Sequence, residues 1–470
     1  MTKSIEETQP NTHAVPGTWS HLFSREHRSA VVVLASGVGL YAMNLYFTAA
    51  LLPSVVADIG GAKYYAWVAT SYLIAAVVAT MLVSRLLSAV GAARTYVLAY
   101  GVFAIGTAVL AVSPSMELFV AGRAVQGLGA GLLTGLGYAV IRGVLPQALW
   151  TRATGLISAM FGVGTLFGPA LGGVFAGWGA WRIACGGLAV LALALIPVAV
   201  RALPGGRPEK AKLDPVPVWS IAMLAATAAV LSVSSTLGGW LVPVALGAGL
   251  LLLAGFFVLD ARHVNGVLPR LAYTRGNPLK WVYLTVAALC AGVTIENFIP
   301  LFAQSIGGAS PLVAGLVGAV MSLGWTSAQL FSVNATGETV ARLVRIAPWV
   351  LTAGLVGFGV LQVAEPGPWV IVAWTVVLLF AGAGVGIAFP HLSVAAMSSS
   401  TDEREGAKAA AAVSTTQLIA FTLTSALAGN LMALGATGLS AARWLIYGIA
   451  ILTALGIFTS FAATKRARRG

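Results

Sequence analysis

The sequence predicts an all-α polytopic membrane protein. Of its 470 residues, 58% are hydrophobic and only 9% are charged, whereas soluble domains carry about 25% charged residues. Apolar runs long enough to cross a hydrocarbon core of ~30 Å recur along the whole chain. Basic residues are concentrated in alternate connections between these runs, as expected for loops that stay in the cytoplasm.

Fourteen apolar runs are predicted to be transmembrane helices. The first six cover residues 30–56, 65–87, 95–112, 118–141, 153–177 and 183–200. Two additional runs follow at 218–233 and 241–259. The last six cover residues 281–302, 311–333, 346–363, 369–397, 406–432 and 442–462.

Polar segments divide these runs into two groups of six and one pair. The segment at 201–217 is rich in Pro, Gly and charge, and 260–280 is also polar; such composition marks a boundary. The predicted organisation is therefore a tail at 1–29, a six-helix unit at 30–200, a linker at 201–217, two extra helices at 218–259, a linker at 260–280, a six-helix unit at 281–462 and a basic tail at 463–470.

The basic residues predict the orientation. With the N-terminus inside and an even number of spans, the inner segments hold 23 of the 27 Lys and Arg residues. The outer segments hold only Lys63, Arg182 and Arg443, and Arg123 falls inside a span. Both termini are therefore expected in the cytoplasm, and a multi-pass protein of the inner or plasma membrane is expected.

The composition disfavours several other functions. The net charge of +13 is explained by membrane orientation, so no nucleic-acid partner is expected. Cys185 and Cys290 both lie in predicted helices, where a small buried hydrophobe is the simplest role. No metal site or cofactor is expected, and an intramembrane enzyme is disfavoured because it would need clustered acids or histidines.

Two charges inside apolar runs are the main functional candidates. Glu296 lies within WVYLTVAALCAGVTIENFIPLFAQ, and Arg123 within LFVAGRAVQGLGAGLLTGLGYAV. A charge in hydrocarbon costs several kcal/mol, so each is read with a partner, a cavity or a proton. Arg123 shares one helix face with Gln126 and Tyr138. The alternative role for Arg123 is to fix helix packing.

A glycine series occurs in the fifth run. In GVGTLFGPALGG, Gly164, Gly168 and Gly172 are four residues apart, and Pro169 follows the second. This spacing gives a smooth helix face for close crossing, and the proline can bend the helix. Ordinary packing and a role in gating both remain open.

These motifs resemble the major facilitator superfamily, specifically its fourteen-span drug:proton antiporter branch. The resemblance rests on RAVQGLGAGLL at Arg123, GVGTLFGPALGG at Gly162 and the pair WR at Trp181, and it covers nearly the whole chain. It implies two six-helix bundles around a central cavity, two extra helices between them, and alternating access. The loop after the second span keeps Gly91 and Arg94 of the family pattern.

One departure from the family pattern changes the proton hypothesis. In NLYFTAALLP, Pro53 places Asn44 where the family has an acid, and an amide cannot carry a proton. Glu296 is then the only acid predicted inside the membrane. We expect it to contact Arg123 in one state and to be protonated in another.

Further polar residues are predicted to line the substrate cavity. His391 can titrate near neutral pH or simply serve as a helix-end polar group. Ser322, Thr326 and Gln329 form a polar stripe beside Trp325. The cavity set is Tyr41, Asn44, Thr48, Gln126, Tyr138, Asn297, Gln304, Trp325, Gln329, His391 and Gln417.

The predicted function is secondary active export. Small amphipathic molecules, such as drugs, would leave the cytoplasm in exchange for protons, with the proton as the coupling ion and the protein acting as a monomer. Export of a native metabolite or siderophore is an alternative. A facilitator without proton coupling is another alternative, which Asn44 makes more credible.

Overall fold

Apolar stretches of this chain fold as helices, because a helix satisfies its backbone hydrogen bonds internally where no water is available. The computed structural model describes residues 18–146, 149–203, 217–263, 266–332, 335, 337–399 and 403–465. Within these ranges the regular elements are all helical. Residues 1–17 of the predicted tail, 204–216 of the first linker and 466–470 of the basic tail lie outside the described part.

The helices of the first half end before the predicted linker. They are α1 (Trp19–Leu22), α2 (Arg28–Ile59), α3 (Tyr65–Val90), α4 (Ala92–Val112), α5 (Met116–Ala139), α6 (Ile141–Val144), α7 (Trp150–Gly177) and α8 (Trp181–Ala202). The additional pair is α9 (Val218–Ser234) and α10 (Leu241–Arg262).

In the second half, the predicted span over 281–302 contains two α-helices. Its helices are α11 (Leu279–Val293), α12 (Ile299–Ser305), α13 (Pro311–Ser332), α14 (Glu338–Val360), α15 (Pro368–Met397), α16 (Glu403–Ala433) and α17 (Gly438–Thr464). Every predicted run overlaps at least one helix. Ten helical segments of the described part are long and apolar enough to cross a membrane; a total of fourteen crossings stays a prediction.

The helices pack as two groups. In the first, α2 packs on α7, and α5 packs on α3 and α4. In the second, α15 packs on α13 and α14, and α17 packs on α11 and α14. We call these groups the N bundle (α2–α8) and the C bundle (α11–α17). They meet where α7 contacts α13, α3 contacts α16, and α2 contacts α12 and α13.

Glycines set the close crossings between the bundles. A Cβ added at Gly173 of α7 would lie 2.6 Å from the Cα of Leu312. A Cβ added at Gly315 of α13 would lie 2.7 Å from the carbonyl oxygen of Pro169. Small residues let transmembrane helices approach this closely and gain van der Waals contact, so the α7–α13 contact depends on these two positions.

The large apolar side chains on the outside indicate a lipid-facing surface. Leu251, Phe331 and Trp369 are 75%, 83% and 84% exposed. In water such surface would favour association, whereas in a bilayer it is the preferred exterior. The structure therefore agrees with the composition that this is a multi-pass membrane protein.

The additional helices α9 and α10 are attached to both bundles by hydrogen bonds at the C-terminal end of α9. The Trp67 indole of α3 donates a hydrogen bond to the Ser232 carbonyl at 3.0 Å. The Asn430 amide of α16 donates to the Leu231 carbonyl at 2.7 Å, and its oxygen accepts from Ser234 at 2.8 Å. These bonds give the carbonyls at the end of α9 partners on other helices.

We expect Asn430→Leu to lower the free energy of unfolding by about 1–2 kcal/mol, because it removes the two hydrogen bonds that join α16 to the end of α9. Thermal unfolding of the purified protein in detergent measures this change. Gln417→Leu on the same helix is the control, since Gln417 makes no hydrogen bond within the described part. Equal unfolding midpoints for the two variants would contradict the role of Asn430 in attaching α9 to α16.

Candidate functional site

The span that contains Glu296 is broken at the acid. The α-helix α11 ends at Val293, a 3₁₀ turn covers Thr294–Asn297, and α12 begins at Ile299. The predicted span over 281–302 is thus one apolar helical segment, Leu279–Ser305, that contains a 3₁₀ turn. Discontinuous membrane helices are typical of ion and substrate sites in transporters, because their freed backbone groups line a cavity.

Pro300 explains the position of the break. A proline has no N–H, and its ring clashes with the carbonyl four residues earlier, which here belongs to Glu296. The Phe298 N–H instead bonds the Ile295 carbonyl at 2.9 Å in the tighter 3₁₀ pattern. Pro300 was visible in the sequence and could have predicted the interruption.

The Glu296 carboxylate is buried and bound by a serine of a neighbouring helix. Its side chain is only 5% exposed. Ser322 of α13 lies 2.7 and 2.8 Å from the two carboxylate oxygens, with its hydroxyl donating. The Tyr46 hydroxyl of α2 lies 2.7 Å from the same serine oxygen. Ser322 belongs to the predicted stripe on α13, whereas Tyr46 was missed.

Arg123 is buried in the N bundle among neutral partners. Its Nε donates to the Val68 carbonyl at 3.1 Å, and its Nη1 donates to Thr48 at 3.3 Å and Gln126 at 2.5 Å. The guanidinium also lies over the Tyr72 ring, 4.0 Å from its centroid, in cation–π geometry. These contacts fix a full positive charge in the membrane interior.

Asn44 joins this network in place of an acid. The Gln126 amide donates to Asn44 Oδ1 at 3.1 Å, and the Asn44 amide donates to Gln126 Oε1 at 3.3 Å. Thr48 donates to the same Asn44 oxygen at 3.3 Å, and Gln126 also donates to Thr107 at 2.8 Å. The substituted amide is therefore a well-paired member of the network, but it supplies no countercharge.

Arg123 and the turn at Glu296 face a common cavity between the bundles. Arg123, Thr48 and Tyr65 line it from the N bundle, and Asn297 and Phe298 from the C bundle; the remaining wall is apolar. The space has room for about one water molecule. The Tyr65 hydroxyl is buried and has no hydrogen-bond partner within the described residues.

The structure does not pair Arg123 with Glu296. Salt bridges within the described part join Glu26 with His27, Asp58 with Arg182, and Glu338 with Arg342. Arg123 lines the common cavity, whereas the Glu296 carboxylate is bound by Ser322 of α13, and each is held by neutral groups. Their predicted direct contact stays a prediction for another conformation.

The remaining cavity candidates lie at several places. Tyr41 stacks on Tyr72 with ring centroids 6.1 Å apart. The Trp325 indole donates to Gln329 at 3.1 Å and its ring packs on Phe389. Asn297 donates to the Thr294 carbonyl at 3.2 Å, within its own turn.

Four further candidates are less informative. The His391 ring donates to the Ser332 carbonyl at 3.0 Å, the helix-end role left open by the sequence. The Gln304 amide nitrogen is buried without a hydrogen-bond partner in the described part. Gln417 is half-buried on α16, and the Tyr138 side chain lies outside the described residues.

Comparison with known proteins assigns the family. Residues 34–423 match the family model for the Major Facilitator Superfamily. A relative named Probable multidrug-efflux transporter, from Mycobacterium tuberculosis strain H37Rv, is 42% identical over 479 residues, which cover 100% of this chain and 99% of the relative. The chain belongs to the major facilitator superfamily. It is a membrane transporter for a small-molecule substrate and not an enzyme, and the predicted resemblance is confirmed.

More distant proteins share the fold or the family. Multidrug resistance protein 3 of Bacillus subtilis strain 168 is 24% identical over 383 residues, covering 78% of this chain and 72% of the relative. A solved bacterial homologue of the human lysosomal transporter Spinster aligns with a TM-score of 0.65 at 14% identity, over 94% of this chain and 98% of that chain. The solved structure confirms a superfamily-type helical fold.

The predicted glycine series of this superfamily member packs inside one bundle. A Cβ added at Gly164 would lie 2.6 Å from the Ala42 backbone, and one at Gly168 would lie 2.6 Å from the Met43 carbonyl oxygen. Gly172 lies against the Phe47 carbonyl in the same way, at 2.7 Å. All three bring α7 onto α2. The contacts between the bundles fall instead on the next positions, Pro169 and Gly173.

Gly91 and Arg94 lie at the α3–α4 connection. Gly91 has a φ of 83°, a region that favours glycine because it has no Cβ. Its N–H bonds the Leu87 carbonyl at 2.9 Å, and Arg94 is exposed. Gly91 therefore allows the tight turn between the two helices.

We expect Arg123→Lys to destabilise the N bundle by ~2 kcal/mol and to reduce transport at least tenfold, because an ammonium cannot reproduce the planar fork of donors. Thermal unfolding and vesicle transport measure the two effects. Arg94→Lys at an exposed position is the matched control. A variant with wild-type stability and transport would show that the guanidinium geometry is irrelevant.

Proposed function

We propose that this transporter is a secondary active exporter that couples the efflux of small amphipathic molecules to the entry of protons. It would act in the cell membrane as a monomer, with fourteen spans, both termini in the cytoplasm, and no cofactor besides the coupling proton. The name of the mycobacterial relative supports efflux as the direction of transport.

The observation that carries the proposal is the buried carboxylate at a broken helix. Glu296 lies between the bundles and is bound only by hydroxyl groups within the described part. A carboxylate that is taken out of water and has no cation beside it binds a proton more readily. Its position at the interface lets the proton state influence how the bundles meet.

The polar and apolar groups of the cavity suit an amphipathic substrate. Thr48, Arg123 and Asn297 offer hydrogen bonds, while Leu52 and Phe298 provide apolar surface. Binding sites for small molecules commonly combine an apolar wall with a few placed polar groups. Substrate bound beside the Glu296 turn would favour release of the proton, which gives exchange of one for the other.

The available energy is sufficient for export against a gradient. One proton that enters across 100 mV releases ~2.3 kcal/mol, and each unit of pH difference adds ~1.4 kcal/mol. A total near 4 kcal/mol would support a concentration ratio of several hundred, since each ~1.4 kcal/mol corresponds to a factor of ten.

A facilitator without proton coupling is the second candidate. Asn44 occupies the position of the family acid and is fully engaged with Gln126. If coupling required an acid in the first span, this chain would only equilibrate its substrate. The two functions predict different responses to a proton gradient.

The deciding experiment uses inside-out proteoliposomes of the full chain with an acidic lumen. Cationic, neutral and anionic amphipathic dyes are supplied outside, and luminal pH is followed with a trapped indicator. The exporter should accumulate at least one dye above equilibrium and make the lumen more alkaline in doing so. Accumulation that stops at equilibrium, with no change of luminal pH, would support the facilitator.

A further inference from the structure

A chain of three hydrogen-bonded side chains crosses from one bundle to the other. Tyr46 lies on α2 of the N bundle, whereas Ser322 and Glu296 lie in the C bundle. The separations are 2.7 Å from tyrosine to serine, and 2.7 and 2.8 Å from serine to the carboxylate oxygens. We call this set the crossing chain.

The charge on Glu296 fixes the direction of these bonds. An ionised carboxylate only accepts hydrogen bonds, so Ser322 must donate to it. The serine then has only acceptor capacity left, so Tyr46 must donate to the serine. Bonds to an ionised group are roughly twice as strong as bonds between neutral groups, and the whole chain is therefore strongest when Glu296 is ionised.

Tyr46 lies next to a glycine of α7. A Cβ added at Gly168 of α7 would lie 3.0 Å from the Cβ of Tyr46, so α7 closely approaches the base of this side chain. The packing of α7 on α2 thereby limits the positions that the tyrosine can take.

We propose that the crossing chain is a lock that holds the empty, ionised carrier in the conformation seen here. Tyr46 and Ser322 are its positioning residues, and the proposal rests on the proton-coupled function above. A hydrogen bond between two oxygens needs a separation of about 2.5–3.0 Å. Movement of one bundle against the other would exceed this range, so reorientation must break the bond from Tyr46.

The lock would keep the empty carrier from changing conformation, which coupled antiport requires. Coupling is lost if the carrier returns empty, because substrate then moves without a proton. Protonation of Glu296 removes the charge that strengthens the chain, and substrate in the neighbouring cavity separates the same helix surfaces. Reorientation is therefore favoured when either ligand is bound and disfavoured when neither is bound.

Few ionisable groups surround the carboxylate. The turn at Glu296 packs against α2, α11, α12, α13 and α16. Among the described residues of these helices, Tyr46 is the titratable group in contact with the carboxylate. Arg123 and Tyr65 line the adjacent cavity. The protonation that opens the lock is thus assigned to Glu296.

The test compares two transport modes of Tyr46→Phe in proteoliposomes, with one transported dye as probe. Net downhill efflux at symmetric alkaline pH requires return of the empty, ionised carrier. Exchange of labelled for unlabelled dye requires only the loaded carrier. We expect slow net efflux and fast exchange in the wild type. In Tyr46→Phe the net efflux should rise about tenfold, while exchange stays unchanged.

Two controls separate the lock from general effects. Tyr100→Phe removes a buried hydroxyl that bonds Ser36 and Val33 inside the N bundle, and it should behave as wild type. Ser322→Ala breaks the same chain at its centre and should reproduce the leak if Tyr46→Phe folds poorly. An unchanged ratio of net efflux to exchange in both variants would overturn the lock. Wild-type net efflux that is fast and independent of pH would instead overturn the proposed proton coupling.

Discussion

Glu296→Gln is expected to abolish proton movement during transport. Glutamine preserves the size of the side chain and can still bond Ser322, but it has no titratable group. Because Glu296 is the only acid buried between the bundles in the described part, no nearby carboxylate can replace it. Substrate-driven alkalinisation of inside-out proteoliposomes should fall at least a hundredfold, while exchange of substrate persists.

The matched control is Glu338→Gln. Glu338 lies at the exposed start of α14, where it pairs with Arg342 at 3.4 Å, and such exposed pairs contribute little to stability. This variant should retain wild-type coupling. Full proton movement in Glu296→Gln would transfer the coupling role to another residue and refute the assignment of Glu296.

Gly382→Ala is expected to cause the largest loss of stability. A Cβ at Gly382 of α15 would overlap the Met321 carbonyl of α13, and a Cβ at Gly324 or Gly386 would also overlap a backbone carbonyl along the same crossing. Because the obstacle is backbone, a whole helix must move. Overpacking of this kind costs about 3 kcal/mol or more. Thermal unfolding in detergent should show a much lower midpoint.

Gly187→Ala provides the comparison on an exposed helix face. A Cβ at Gly187 of α8 meets no other atom within 4 Å. The substitution should leave stability unchanged or raise it slightly, because alanine favours the helix over glycine by about 1 kcal/mol. Similar unfolding midpoints for the two alanine variants would mean that the α13–α15 crossing is not tightly packed.

The sequence predicted the membrane class and the two important charges for a clear physical reason. Charged side chains are costly in hydrocarbon, so Glu296 and Arg123 stand out from their apolar surroundings without any knowledge of the fold. In the structure Arg123 and Asn297, the residue next to Glu296, line one cavity. Their direct pairing was an additional step that the structure does not show.

Tyr46 could not be predicted because its role is tertiary. It lies off the stripe formed by Tyr41, Asn44 and Thr48, and tyrosine in an apolar run is equally typical of packing. Its function depends on Ser322, which is 276 residues away in the sequence. Helical periodicity describes one helix at a time, and it carries no information about contacts between bundles.

The glycines of α7 show the same limit of prediction from sequence, here for single positions along one helix. The spacing of Gly164, Gly168 and Gly172 indicated a smooth face, but it did not indicate which helix would occupy that face. The structure assigns it to α2, whereas Gly173 and Gly315 approach the other bundle. One residue along a helix turns the side chain by about 100°, which is enough to change the partner.

Because α9 is attached on one side only, the boundary between the two bundles faces the lipid differently on the two sides of the transporter. On one flank, α9 packs over the line where α3 meets α16. On the other, where α7 meets α13, Leu166, Phe167 and Leu323 are 58%, 52% and 54% exposed. Among the described residues, the boundary between the bundles is therefore covered by α9 on one side and presents large apolar side chains to the lipid on the other.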